Sequence, residues 1–211
     1  MGKAIRRFDT VDEWESFIKG GAVHLDKIAE LCFPKQVPVV ISQSLFHQIR
    51  VMGESFVIVK LKEDSKTEIV LKDNATAIIK QGKATAKGES TVILCENSAA
   101  HLTNKATCYA FDESELTADQ RCTAYLYDDA SCIIRGKAVA YLGDYTHGQC
   151  EDDGKIIDFG TTGQVSAIIP ATDGVSGTRN IQAGGWLLKR KYEKNRRMTQ
   201  GLINKSRGEF S

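Results

Sequence analysis

From Lys80 the chain runs without a gap through nine octads: KQGKATAK, GESTVILC, ENSAAHLT, NKATCYAF, DESELTAD, QRCTAYLY, DDASCIIR, GKAVAYLG and DYTHGQCE. A fixed short period constrains the fold more than any other feature of a sequence, because each unit must then be one structural step. Position 1 is mostly Gly, Asn, Asp, Gln or Glu, residues that tolerate turns. Position 3 is small throughout: Gly82, Ser90, Ser98, Ala106, Ser114, Cys122, Ala130, Ala138 and Thr146. Position 5 is Ala, Val, Cys or Leu except at Gly148, and position 7 is Ala, Leu, Ile or Cys. Positions 3, 5 and 7 carry the two-residue period of a strand with one buried face.

Those inward residues are small, so the enclosed space must be thin. A sandwich core of ~10 Å would take larger side chains. Coils whose strands pair with those above and below satisfy the backbone without hairpins. The outward positions set the coil length. In alternate octads position 4 reads Thr91, Thr107, Thr123, Val139 and position 6 reads Ile93, Tyr109, Tyr125, Tyr141. The octads between them give a mixed, polar set: Lys83, Ala99, Glu115, Ser131, His147 and Thr85, His101, Thr117, Ile133, Gln149. Two octads therefore make one two-sided coil of sixteen residues.

The pattern extends backwards through "DNATAII" (73–79), one residue short, and "SKTEIVLK" (65–72), then across the interruption "LKED" (61–64) to "GESFVIVK" (53–60). Its near-copy "GESTVILC" at Gly88 is then four units away and on the same sheet. Twelve units predict about six coils and a stack ~29 Å long at ~4.8 Å per coil. The expected fold is mainly β, a two-sided parallel β-solenoid. The Asn-Ala-Thr-Ala of 74–77 and the Lys-Ala-Thr of 83–85 and 105–107 resemble the short-repeat β-solenoids of phage and bacterial proteins. That resemblance covers roughly 53–151, concerns architecture, and implies no catalytic residues.

The expected organisation is a helical N-terminal cap over 1–52, the solenoid over 53–159, a Gly/Thr/Ser-rich arm over 160–185 and a basic tail over 186–211. In the first segment "TVDEWESFIKGG" offers Thr10 as N-cap with Glu13 completing a capping box, and Gly20-Gly21 as the stop. "LDKIAELCF" and "QSLFHQIR" read as two further short helices. The region near Trp186–Met198 reads as helical. A cap protects the open strand edges of a solenoid end.

Net charge is +1, but residues 186–211 hold eight Lys/Arg against two Glu, +6, which leaves −5 on the rest. Lys189, Arg190, Lys191, Lys194, Arg196 and Arg197 are the candidate contacts for an anionic partner, with Lys205 and Arg207 beyond and Trp186 and Tyr192 interleaved. The ordinary alternative is a solvated tail. The six cysteines form no CxxC pair and fit small inward positions, which predicts unpaired thiols and a reducing compartment. No apolar run is long enough to span a bilayer, and "MGKAIRRFDTVDEW" has neither a signal-peptide core nor the Ser or Thr of a myristoylation site at Arg6. The expectation is host cytoplasm or a virion, without membrane contact.

Chemistry is sparse. His24, His47, His101 and His147 are scattered, and "DGVSGTR" (173–179) lacks the Lys and strand–helix context of a phosphate loop. No catalytic residue, metal ligand or cofactor is expected, and no enzyme. The most informative surface is the face bearing Thr91, Ile93, Thr107, Tyr109, Phe111, Thr123, Tyr125, Tyr127 and Tyr141. A contiguous half-apolar patch of this kind is normally covered: by the chain's own arm or cap, by a subunit or partner protein, or by a ligand such as a glycan. The expected function is non-enzymatic, a rigid solenoid attached to a larger assembly, with a phage virion or mobile-element component as the specific form. The alternatives are a nucleic-acid-binding protein acting through the basic tail and a carbohydrate-binding solenoid using the Tyr/Thr sheet.

Overall fold

The computed structural model describes residues 4–21, 24–34, 38–62, 64–160, 181–183 and 186–208. Most of the expected arm and the "DGVSGTR" stretch lie outside the described residues, as does the His24 side chain. In chain order the first elements are β1 (Ile5–Phe8), α1 (Val11–Lys19), β2 (His24–Leu31), β3 (Val39–Ile41), β4 (Phe46–Val51), β5 (Phe56–Lys60) and β6 (Glu68–Leu71). There follow β7 (Thr76–Gln81), β8 (Lys83–Ala86), β9 (Thr91–Leu94), β10 (Ala99–Leu102), β11 (Thr107–Ala110) and β12 (Glu115–Ala118). The chain ends with β13 (Thr123–Leu126), β14 (Ser131–Ile134), β15 (Val139–Leu142), β16 (His147–Cys150), β17 (Lys155–Asp158), β18 (Ile181–Ala183) and α2 (Trp186–Gly208).

Successive strands alternate between two parallel sheets. One, the polar sheet, runs β1-β2-β4-β6-β8-β10-β12-β14-β16; the other, the aromatic sheet, runs β18-β17-β15-β13-β11-β9-β7-β5-β3. The molecule is a mainly β, parallel β-solenoid of about eight turns, with two helices among the described residues. Register follows the octads: Thr107 pairs with Thr123, Tyr109 with Tyr125 and Ser131 with His147, each sixteen residues on. Phe56 pairs with Thr76 across the four-residue insertion, and Thr76 with Thr91 across the one-residue deletion. "GESFVIVK" and "GESTVILC" thus supply β5 and β9 of one sheet. The deletion falls at the corner after Ile79, where Gly82 adopts φ +104°.

Each corner from 88 to 136 places octad position 1 in the left-handed region: Gly88, Glu96, Asn104, Asp112, Gln120, Asp128 and Gly136, all with φ between 56° and 73°. Polar side chains here do more than tolerate the turn. The carboxylate of Asp112 accepts from the Glu96 N–H one coil below (2.9 Å), and the Gln120 amide oxygen from the Asn104 N–H (2.7 Å). A corner amide that points along the stack is thereby satisfied by the next corner.

The interior holds Ala, Val, Leu, Ile and Cys in one continuous cluster. All six cysteines are unpaired, five of them buried. Gly148, the exception at position 5, has its reason in packing. A Cβ there would lie 2.6 Å from Leu142 Cδ2 and 3.0 Å from Ile156 Cδ1, so these larger residues fill its space.

Two expectations for the N-terminal segment are corrected. "LDKIAELCF" and "QSLFHQIR" are not helices: they form most of β2 and β4, and residues 5–51 add strands to both sheets, so six coils become about eight turns. In runs this short, Ala29, Leu31, Ile49 and Val51 suit a strand's buried face as well as a helix stripe, and stacking decides. The first helix does form. Thr10 Oγ1 accepts from the Glu13 N–H (3.2 Å), and the Glu13 carboxylate accepts from the Thr10 N–H (3.4 Å). This helix, α1, sets buried Trp14 against Phe8 and Phe46, with ring centroids 5.2 and 6.1 Å away.

Candidate interaction site: the aromatic sheet and its helix

Parallel registration stacks like on like. Position 6 gives the column Ile58, Ile78, Ile93, Tyr109, Tyr125, Tyr141, Ile157. Tyr109, Tyr125 and Tyr141 stack at 5.1 and 4.8 Å with nearly parallel rings. Beside them, at position 8, runs a second column: Cys95, Phe111, Tyr127, Gly143, Phe159. Phe111 and Tyr127 stack at 4.7 Å, and the series then breaks at Gly143.

The break is filled from elsewhere in the chain. α2 lies on this sheet through Tyr192, Thr199, Ile203 and Ser206, all buried, with Asn195 half-buried between them. This three-and-four spacing is one stripe of a helix. The ring of Tyr192 sits between Tyr127 (4.6 Å) and Phe159 (5.0 Å), and a Cβ on Gly143 would overlap its hydroxyl. That hydroxyl donates to the Leu126 carbonyl, and the Tyr127 hydroxyl donates to the Tyr192 carbonyl (3.1 Å). Arg196 pairs with Asp128 (2.6 Å) while its guanidinium stands 5.8 Å from the centre of the Tyr127 ring. At the far end the buried Lys80 ammonium donates to the Ser206 carbonyl (3.2 Å), a cation at the negative end of a helix. Burial lowers the pKa of Lys80 and raises the phenols, Tyr125 to about 12 and Tyr127 and Tyr192 further.

The Tyr/Thr face is therefore covered by the chain's own C-terminal helix. Ile93, Phe111, Tyr125 and Tyr127 are buried beneath it, and Thr91, Thr107, Tyr109, Thr123 and Tyr141 are half-buried. Of the six cations read as one anion site, α2 turns two inward, Arg196 to Asp128 and Lys189 to the Phe159 carbonyl (3.5 Å). Arg190, Lys191, Lys194 and Arg197 face solvent, joined by Lys205. Sequence reasoning did not find Tyr192, Gly143 or Lys80 as a set. The signal was the glycine interrupting the position-8 aromatic column, together with a 192–195–199–203–206 spacing of docking residues.

α2 also concentrates exposed apolar side chains. Among the described residues, Trp186, Leu187, Leu188, Met198 and Leu202 are exposed on it, and elsewhere only Ile5 and Tyr145 are exposed large hydrophobics. The polar sheet is laced with pairs: His101–Asp119 (2.6 Å), Arg135–Glu151 (2.6 Å) and Arg50–Glu30 (3.1 Å). His101 and His147 stand three strands apart in it. Among the described residues no helix is long and apolar enough to cross a membrane. Comparison with protein families, characterised proteins and solved structures returns no match.

Proposed function

We propose that the protein is a non-enzymatic structural component, a rigid solenoid fixed to a larger assembly through the outward face of α2. The observation that carries this reading is the unequal distribution of exposed apolar surface. Among the described residues one helix bears five of the seven exposed large hydrophobics, beside cations that meet no carboxylate there, on a body whose own aromatic face is already closed. Surface of that kind on an otherwise polar molecule marks an attachment site. The interlocked registers and the aromatic columns supply the stiffness such a part needs. A virion or mobile-element component is the specific form that the repeat resemblance supports.

Density-gradient sedimentation of lysate from cells that make the protein naturally tests the reading. The chain is expected in a fraction far heavier than a single copy. Replacing Leu187, Met198 and Leu202 by Ser together with Lys194 and Arg197 by Gln, which strips the outward face of both its apolar and its charged groups, should return it to the monomer position. A wild-type chain recovered wholly as monomer overturns the proposal.

A further inference from the structure

Opposite the docked stripe, α2 carries Arg190, Lys194, Arg197, Gly201 and Lys205 at steps of four, three, four and four, one line along the outermost face. At ~1.5 Å per residue the line is ~22 Å long and held rigid by the sheet beneath. None of these four cations meets a carboxylate among the described residues, whereas the inward-turned Arg196 does. Arg190 instead stands 5.7 Å from the centre of the Trp186 ring. The described helix carries a single acid, Glu193. Like charges three and four residues apart repel, so the free helix is under a strain that a polyanion relieves.

Gly201 sits in the middle of this line, exposed, with nothing within 4 Å of where its Cβ would be. Glycine weakens an exposed helix interior, and here it meets none of the described residues. It leaves bare backbone at the point where a phosphate chain would pass. The order of side chains also selects the partner. A bilayer takes up a continuous apolar face, yet here Leu187 lines the same surface as Arg190, Lys194 and Arg197, Met198 and Leu202 lie beside the cation row, and the Tyr192 latch prevents α2 from rolling to present an unbroken apolar face. Protein interfaces deplete charge at their centre, whereas here a row of cations runs along the middle of the face with Leu187 at one end and Met198 and Leu202 beside it.

We infer that the outward face of α2 grips the phosphate backbone of double-stranded nucleic acid, independently of sequence. This rests on α2 being the attachment face, and it names what the face holds. Four phosphate contacts give a salt slope of about −3.6 in log K against log salt, a loss of ~10²-fold between 50 and 200 mM.

The test is fluorescence anisotropy of the purified full chain with a labelled duplex of about 30 base pairs of arbitrary sequence. Wild type should show that slope. The double variant K194Q/R197Q, which leaves Tyr192 and Arg196 in place, should bind more weakly and lose about half the slope. K83Q/K105Q, on the solenoid body, should match wild type. Circular dichroism verifies that each variant is folded. No duplex binding at low salt, binding without a salt slope, or an unchanged slope in K194Q/R197Q overturns the inference. So does capture by phosphatidylserine vesicles in place of duplex. A chain that fails here yet sediments with a heavy particle retains the attachment reading and loses only its nucleic-acid partner.

Discussion

Tyr192 occupies the space that a side chain at Gly143 would fill, so one residue of α2 completes an aromatic column begun by Phe111 and Tyr127 and ended by Phe159. The fit is between a missing side chain in a repeat and a ring supplied forty-nine residues later. It sets both the position and the rotation of the helix, and hence which cations face outward.

Shaving this ring should loosen α2 without unfolding the coils. Tyr192→Phe keeps the stack but leaves the Leu126 carbonyl without its donor, at a cost of about 1–3 kcal/mol of docking. Tyr192→Ala empties the slot between Tyr127 and Phe159 and should cost about 3–5 kcal/mol. Tryptic cleavage after Lys191 and Lys194 should accelerate in that order, while the thermal transition of the β-signal stays near wild type.

Docking should fail in strong alkali. Burial, with the neighbouring tyrosines, pushes Tyr125 up to about 12, and desolvation lifts Tyr127 and Tyr192 beyond it. Undocked, these phenols return towards about 10. Between those values the docked state holds more protons, so docking is fully present below pH ~10 and is lost as pH rises towards ~12. Lys80, whose ammonium burial lowers, acts in the opposite sense as one group against three. Tyrosinate absorbance and helix protection should therefore change together on titration, and a helix still protected with its tyrosines ionised would contradict this.

The sixteen-residue coil, both sheets, the insertion and the deletion were legible because stacking forces like residues into columns, and Thr107, Thr123 and Val139 write that register openly. The first coils were not legible. β2 and β4 lack the octad's turn residues, and their short apolar runs fit two periods until neighbouring strands choose one. The cover of the tyrosines was half legible: the patch announced that something must lie on it. That the cover is α2 depends on Gly143 and Tyr192 meeting in space, and no local period encodes that meeting.

Gly148 should be intolerant for a different reason. Gly148→Ala drives a methyl into Leu142 and Ile156 and should cost about 1–3 kcal/mol in urea unfolding. Combining it with Leu142→Ala should cost less than the sum of the two single changes, because the first substitution fills part of the cavity left by the second. Strict additivity would show that the two side chains do not share that space.

The corners make their own prediction at Asp112. Asp112→Asn keeps both the left-handed conformation and an acceptor for the Glu96 N–H, and should be nearly neutral. Asp112→Ala loses the acceptor and strains the backbone, at about 1–3 kcal/mol. Asp112→Gly loses the acceptor as well but relieves the backbone strain, and should fall between them. Equal stability of all three, by denaturant titration, would refute the corner ladder.

The most direct measurement is hydrogen–deuterium exchange of the wild-type chain beside Gly143→Val. In the wild type, amides between Tyr192 and Ser206 should be protected alongside β13 and β15. In the variant the helix should lose its protection while both strands keep theirs. Equal helix exchange in the two proteins, or a wild-type helix already unprotected, would contradict the claim that Tyr192 in the Gly143 gap holds α2 on the aromatic sheet.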